Sequence, residues 1–221
     1  MRPADRLVPL LLIAAAILFA RAPFLIDAAP PEATMGLVQK IFYFHVPSAI
    51  TTFLAAFVCG ISSAVFLWRR APAADHVALA AAELAVLFGA IVLVTGPLWA
   101  RKAWGVWWQW DARLTMTLVM WMIFVAYLLL RRFGGPGSEA LAAAVGLFGM
   151  ALVPFVYLSV LFWRTIHPTT NVIATLPSSM SGPFRWSLLA FFVLFAAVLL
   201  VRVRLEAMRA ALEEQLAVVE E

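Results

Sequence analysis

The chain has 221 residues, 65% of them apolar and only 13% charged, with a mean hydropathy of +0.97; a soluble domain of this size has no use for so much apolar surface, so the composition indicates a membrane protein. The formal charge of +4 and isoelectric point near 9.8 do not indicate nucleic acid, because the basic residues fall mostly as short pairs at the ends of apolar runs and read as topology anchors. The single cysteine, Cys59, sits inside an apolar run, which excludes a disulfide, a CxxC redox pair or a CxxCH attachment motif within the chain.

A hydrocarbon core of about 30 Å needs about 20 mostly apolar residues per helix. Six segments approach that length, near 7–28, 46–68, 77–99, 114–130, 140–163 and 186–203. The first has the basic start and short apolar centre of a signal peptide, and Ala28 and Ala29 resemble its cleavage site. Phe24, Leu25 and Ile26 extend the apolar stretch beyond Arg21, so an uncleaved span is expected, with Arg21 snorkelling or facing the bundle. After the second span come Arg69 and Arg70; after the fourth, Arg131 and Arg132; the termini carry Arg2, Arg6, Arg202, Arg204 and Arg209. By the positive-inside rule these edges face the cytoplasm, and an even number of spans agrees with both termini lying there. Glu83, early in the third span, is a candidate functional carboxylate by default, and an interfacial position near Asp75 and His76 is the reading preferred for it. Gly134, Gly135, Pro136 and Gly137 form a short turn before the fifth span. Beyond the sixth, residues 204–221 read as a cytoplasmic helix with Leu205, Met208, Leu212, Leu216 and Val219 on one stripe, free to lie on the membrane or meet a partner. With no repeat and no soluble second domain, residues 1–221 are expected to form one all-α membrane domain, a bundle of six transmembrane helices.

This topology leaves three external segments, roughly 29–45, 100–113 and 164–185. The second contains WGVWWQWD, in which four of the nine tryptophans, Trp104, Trp107, Trp108 and Trp110, precede Asp111. If the segment is helical at about 100° per residue, Trp104, Trp107, Trp108 and Asp111 share a face and Trp110 points elsewhere, so a Trp-rich external loop helix is expected to present an apolar shelf. An interfacial aromatic belt, with Asp111 merely capping the fourth span, needs only one or two such rings. Four favour a platform for a flat apolar ligand that gains from stacking on indole.

Two of the three histidines are also predicted external: His45 in YFHVPS and His167 in RTIHPT. Each adjoins a helix-end signal, Pro47 or Pro168. A lone loop histidine is ordinarily a satisfied polar residue. Two on the side of a tryptophan shelf point to axial ligands closing on one haem iron from opposite faces. The two propionates of haem call for cations, for which Arg101, Lys102, Arg113, Lys40, Arg164 and Arg185 are the external candidates, the last two as readily snorkelling edge residues.

The stretch WGVWWQWDARLT closely resembles WGxWWxWDxRLT, the tryptophan-rich signature of the haem-handling (WWD) proteins of cytochrome c maturation, and the chain resembles throughout the small six-span CcmC family within them. The resemblance implies that His45 and His167 hold the iron of a non-covalently bound haem b. It further implies that Trp104, Gly105, Trp107, Trp108, Trp110 and Asp111 meet haem and its chaperone; of the cations, Arg101 and Arg113, which flank this segment, are assigned to the site. The implied function is delivery of haem at the periplasmic face of the bacterial inner membrane to the chaperone CcmE, in an ABC-type complex with CcmA, CcmB and CcmD. No GxxxxGK[ST] loop occurs, so nucleotide hydrolysis is expected from another subunit and no catalytic residue is assigned. Two other classes stay open at this stage: a b-type cytochrome carrying electrons, whose ligands ordinarily lie within spans, and a pore. A pore would need a polar path, for which the spans offer little beyond Glu83, Ser62, Ser63, Thr95 and Ser159.

Overall fold

A computed structural model describes residues 3–168 and 170–220; Arg2, assigned to the cytoplasmic edge, and Thr169, beside the second histidine, lie outside them. The described residues form α1 (Pro3–Ala28), α2 (Phe42–Arg69), α3 (Pro72–Ala103), α4 (Ala112–Phe133), α5 (Ser138–Phe162) and α6 (Ser178–Glu220), with short 3-10 turns at Leu37–Ile41 and Thr170–Ile173. All six helices are long and apolar enough to cross a membrane. Because successive helices run in opposite directions, one end of the bundle collects residues 29–41, 104–111 and 163–177, and the other collects the two arginine turns. These are called here the tryptophan end and the arginine end.

The helices outrun the expected spans. Pro72 at the first position of α3 fits a helix start, where its missing N–H is no loss. The second helix begins at Phe42 rather than 46, which takes His45 into its first turn. No break separates the sixth span from the expected C-terminal helix: α6 continues for 43 residues, about 65 Å at ~1.5 Å per residue. Its outer stripe, Leu205, Met208, Leu212, Leu216 and Val219, is exposed.

Lipid offers little apolar driving force between helices, so close approach depends on small residues. At the centre, Ala55 and Ala56 of α2 and Ala78, Ala81, Ala82 and Ala85 of α3 are buried together. Along α5, glycines do the same: a Cβ at Gly146 would lie 2.9 Å from Ser63 Oγ and 3.0 Å from Cys59 Sγ, and one at Gly149 would lie 2.8 Å from Phe124 Cζ. Helix α1 attaches at the periphery, through Trp186 Nε1 donating to Leu18 O at 2.9 Å and the Phe19 ring edge-on to Phe191.

Two ion pairs join helices near the arginine end. Arg131 donates to both carboxylate oxygens of Asp75, at 3.0 and 2.8 Å, with both side chains largely buried. Glu83 accepts from Arg202 of α6 at 2.5 and 2.7 Å, and Arg202 also donates to Glu206. Arg131 is thus more than a topology anchor. Arg131→Ala is expected to destabilise the bundle by about 3 kcal/mol, because removal of one partner leaves the Asp75 carboxylate buried and unpaired. Unfolding in detergent measures this, and Asp75→Asn added to Arg131→Ala should recover part of the loss.

Candidate functional site

The expected loop helix at 104–111 does not form. Helix α3 stops at Ala103, Gly105 follows with φ +77°, and Asp111 is extended at φ −86°, ψ 169° as the N-cap of α4. A left-handed glycine ends α3 on one side and an extended cap starts α4 on the other, and residues 106–110 between them take no helical turn. The segment runs irregularly across the tryptophan end, so Trp104, Trp107, Trp108 and Asp111 do not share a helical face. Trp104 and Trp108 line a cavity of about 190 Å³ between α2, α3, α4 and the 163–173 segment. Trp107 and Trp110 face outward, 58% and 77% exposed, with the Trp110 ring edge-on to Trp108 at 5.7 Å.

Both predicted histidines line that same cavity. His45 is buried on the first turn of α2, with its ring edge-on to Trp99 at 5.6 Å. Its Nδ1 lies 2.8 Å from Thr95 Oγ1 on α3. His167 lies on the irregular segment after α5, with Nδ1 2.8 Å from Pro168 O. A carbonyl can only accept, so Nδ1 of His167 carries the proton and Nε2 the lone pair. Burial, helped by the Arg113 guanidinium, lowers the His167 pKa from 6.5 to about 4. At neutral pH this ring is uncharged, as a metal ligand must be.

Asp111 organises the second histidine rather than lining the cavity. Its Oδ1 accepts from Leu114 N at 2.9 Å, the N-cap bond of α4. Its Oδ2 accepts from Thr165 Oγ1 at 2.6 Å and Ile166 N at 3.0 Å. His167 N in turn donates to Thr165 Oγ1 at 3.0 Å. The aspartate of the tryptophan-rich signature thereby ties the histidine loop to the start of α4, with charge-assisted bonds of the stronger class.

Of the six candidate cations, Arg113 alone lines the cavity. Its Nη1 donates to Val156 O and Tyr157 O at 2.5 and 3.0 Å, which holds it against α5. Arg101 folds back to donate to Gly105 O at 2.6 Å, and Lys40 reaches Asp27 O at 2.7 Å. Lys102, Arg164 and Arg185 are exposed. Trp99, absent from the sequence-based set, lines the cavity; its indole N–H and that of Trp108 are buried without a partner among the described residues. Buried donors ordinarily have an acceptor. Sequence signals for the missed pair were faint: Thr95 and Trp99 are spaced i, i+4 on the otherwise apolar stretch 84–100, ahead of Arg101.

The arrangement is an apolar cavity with two imidazoles, one guanidinium and unsatisfied indole donors. It suits a flat apolar ligand with a metal centre and acidic edges. The chain matches the family described as CcmC, heme exporter protein C, over residues 1–218. It is similar to the heme exporter protein C of Bradyrhizobium diazoefficiens, 37% identical over 210 residues covering 92% of this chain and 78% of that protein. The heme exporter protein C of Escherichia coli K12 is 32% identical over 183 residues, 80% of this chain and 73% of that one. That of Paracoccus denitrificans is 31% identical over 195 residues, 85% and 81% of the two chains.

Proposed function

Because the chain belongs to the heme exporter protein C family, a family of haem-handling multi-pass membrane proteins, we propose that it takes up haem at the tryptophan end and passes it to the chaperone CcmE. In this reading the tryptophan end faces the periplasm and the arginine end the cytoplasm, in the bacterial inner membrane, with CcmA, CcmB and CcmD completing an ABC-type complex. Any nucleotide hydrolysis then belongs to another subunit.

The observation that carries the reading is the convergence of His45 and His167, from elements far apart in sequence, on one apolar cavity walled by Trp104 and Trp108. The cargo is non-covalent haem b. His45 and His167 offer Nε2 to the iron, while Trp104, Trp108 and the aliphatic walls cover the macrocycle. Arg113 and the indole N–H groups of Trp99 and Trp108 suit the propionates, satisfying donors that the protein leaves without acceptors. Trp107 and Trp110 stand exposed beside the cavity wall, where a chaperone can reach them. Arg101 and Gly105 then act through the shape of the loop, since the Arg101 side chain holds the Gly105 carbonyl.

Transfer is the test. The purified chain, loaded with haem and mixed with apo-CcmE, is expected to lose its haem absorption as the chaperone gains it. Haem that stays stoichiometrically bound in the presence of CcmE, and that is rapidly reduced by a quinol, would instead identify a b-type cytochrome.

A further inference from the structure

Thr95 stands in the middle of an apolar stretch of α3, and its hydroxyl donates to Ile91 O at 2.7 Å. A hydroxyl has one proton. With that proton committed to Ile91, Thr95 Oγ1 can only accept from His45 Nδ1, 2.8 Å away. This fixes the tautomer of His45: Nδ1 carries hydrogen and Nε2 carries the lone pair. The threonine is also stiff about its Cα–Cβ bond, so the acceptor does not wander. Beside it, Gly96 leaves space for the ring, since a Cβ there would already touch His45 Cε1 at 3.4 Å. The Trp99 ring also stands edge-on to it.

We infer that Thr95 is a positioning residue for His45, setting its tautomer, ring plane and donor strength through the Ile91 O, Thr95 Oγ1, His45 Nδ1 relay. The inference rests on His45 being an iron ligand, as proposed above. Outer-shell acceptors of this kind hold a ligating imidazole in orientation and raise its basicity. His167 has the equivalent acceptor in its neighbouring backbone carbonyl, Pro168 O. His45 obtains its acceptor from a different helix, so its ligand geometry depends on how α2 and α3 are packed.

The experiment compares the haem-loaded wild type with Thr95→Val, Thr95→Ala, Thr95→Ser and His45→Ala, measuring haem dissociation constant, absorption spectrum and midpoint potential. Thr95→Val keeps the shape but not the acceptor. Haem affinity is expected to fall roughly 10- to 100-fold, the usual cost of losing an outer-shell partner, with a mixed-spin spectrum and a raised potential. Thr95→Ala should behave alike, and Thr95→Ser should restore wild-type values because it keeps the hydroxyl. Wild-type affinity, spectrum and potential in both Val and Ala variants, with His45→Ala impaired, would overturn the relay and leave the ligand assignment standing. Unchanged haem binding in His45→Ala would overturn the ligand assignment itself.

Discussion

Replacement of both His45 and His167 by alanine is expected to abolish haem retention through purification. Each single variant should keep a weakened, five-coordinate haem with an altered spectrum. The two rings come from separate elements into one cavity, so neither substitution supplies a substitute ligand. The walls still offer stacking in the single variants. Affinity should nevertheless fall by more than the roughly 10- to 100-fold that outer-shell changes cost, because the ligand itself is removed. Added imidazole should restore a six-coordinate spectrum in His167→Gly, since the vacated space matches the lost ring. Acidity provides a second readout. With the pKa of His167 lowered to about 4 by burial, the folded chain takes up this proton later than the unfolded chain does. Its contribution to stability is therefore complete above about 6.5 and falls as pH drops towards about 4. Ligation by this ring should therefore persist from neutral pH and weaken only as pH falls towards about 4. Full haem occupancy and an unchanged spectrum in the double variant would refute the assignment.

The second large effect belongs to Asp111. Asparagine in its place can still cap α4, because Asn and Asp are equivalent N-caps. It cannot replace a charged acceptor for Thr165 Oγ1 and Ile166 N, bonds worth about 1.5–3 kcal/mol each when one partner is ionised. If the histidine loop loses about 2 kcal/mol of its preference for the observed arrangement, haem affinity falls by up to about 30-fold, in proportion to the competent population. Asp111→Ala should lose about 1 kcal/mol more with the cap. Haem titration, together with limited proteolysis between residues 163 and 177, checks both parts. Asp111→Asn with wild-type affinity and a protected loop would refute the latch. Normal haem binding with failed transfer to CcmE would place Asp111 at the chaperone instead.

Much of the site was legible before the fold, for a physical reason. Hydropathy is a local quantity, so runs of about 20 apolar residues show themselves in one dimension. Trp104, Trp107, Trp108 and Trp110 were conspicuous because so many indoles exceed what membrane anchoring needs. His45 and His167 stood out by residue type and by falling in predicted external segments, and the packed bundle brings both to one cavity. The helical shelf failed because periodicity was assumed across a segment whose ends, Gly105 and Asp111, take non-helical backbone angles.

The amino-acid sequence by itself determined the six apolar helices, the concentration of indoles and imidazoles in the segments between them, and, through the tryptophan-rich signature, the family. Only the tertiary structure decided which of those groups act together. Thr95 and His45 are 50 positions apart, Asp111 and Thr165 54, and Glu83 and Arg202 119. Each contact depends on the rotation and axial offset of one helix or loop against another, set by alanine and glycine packing that leaves no periodic trace of its outcome. A hydrogen bond weakens steeply with small errors of distance or angle. The partners of the two histidines and of the signature aspartate therefore had to be read from the packed bundle.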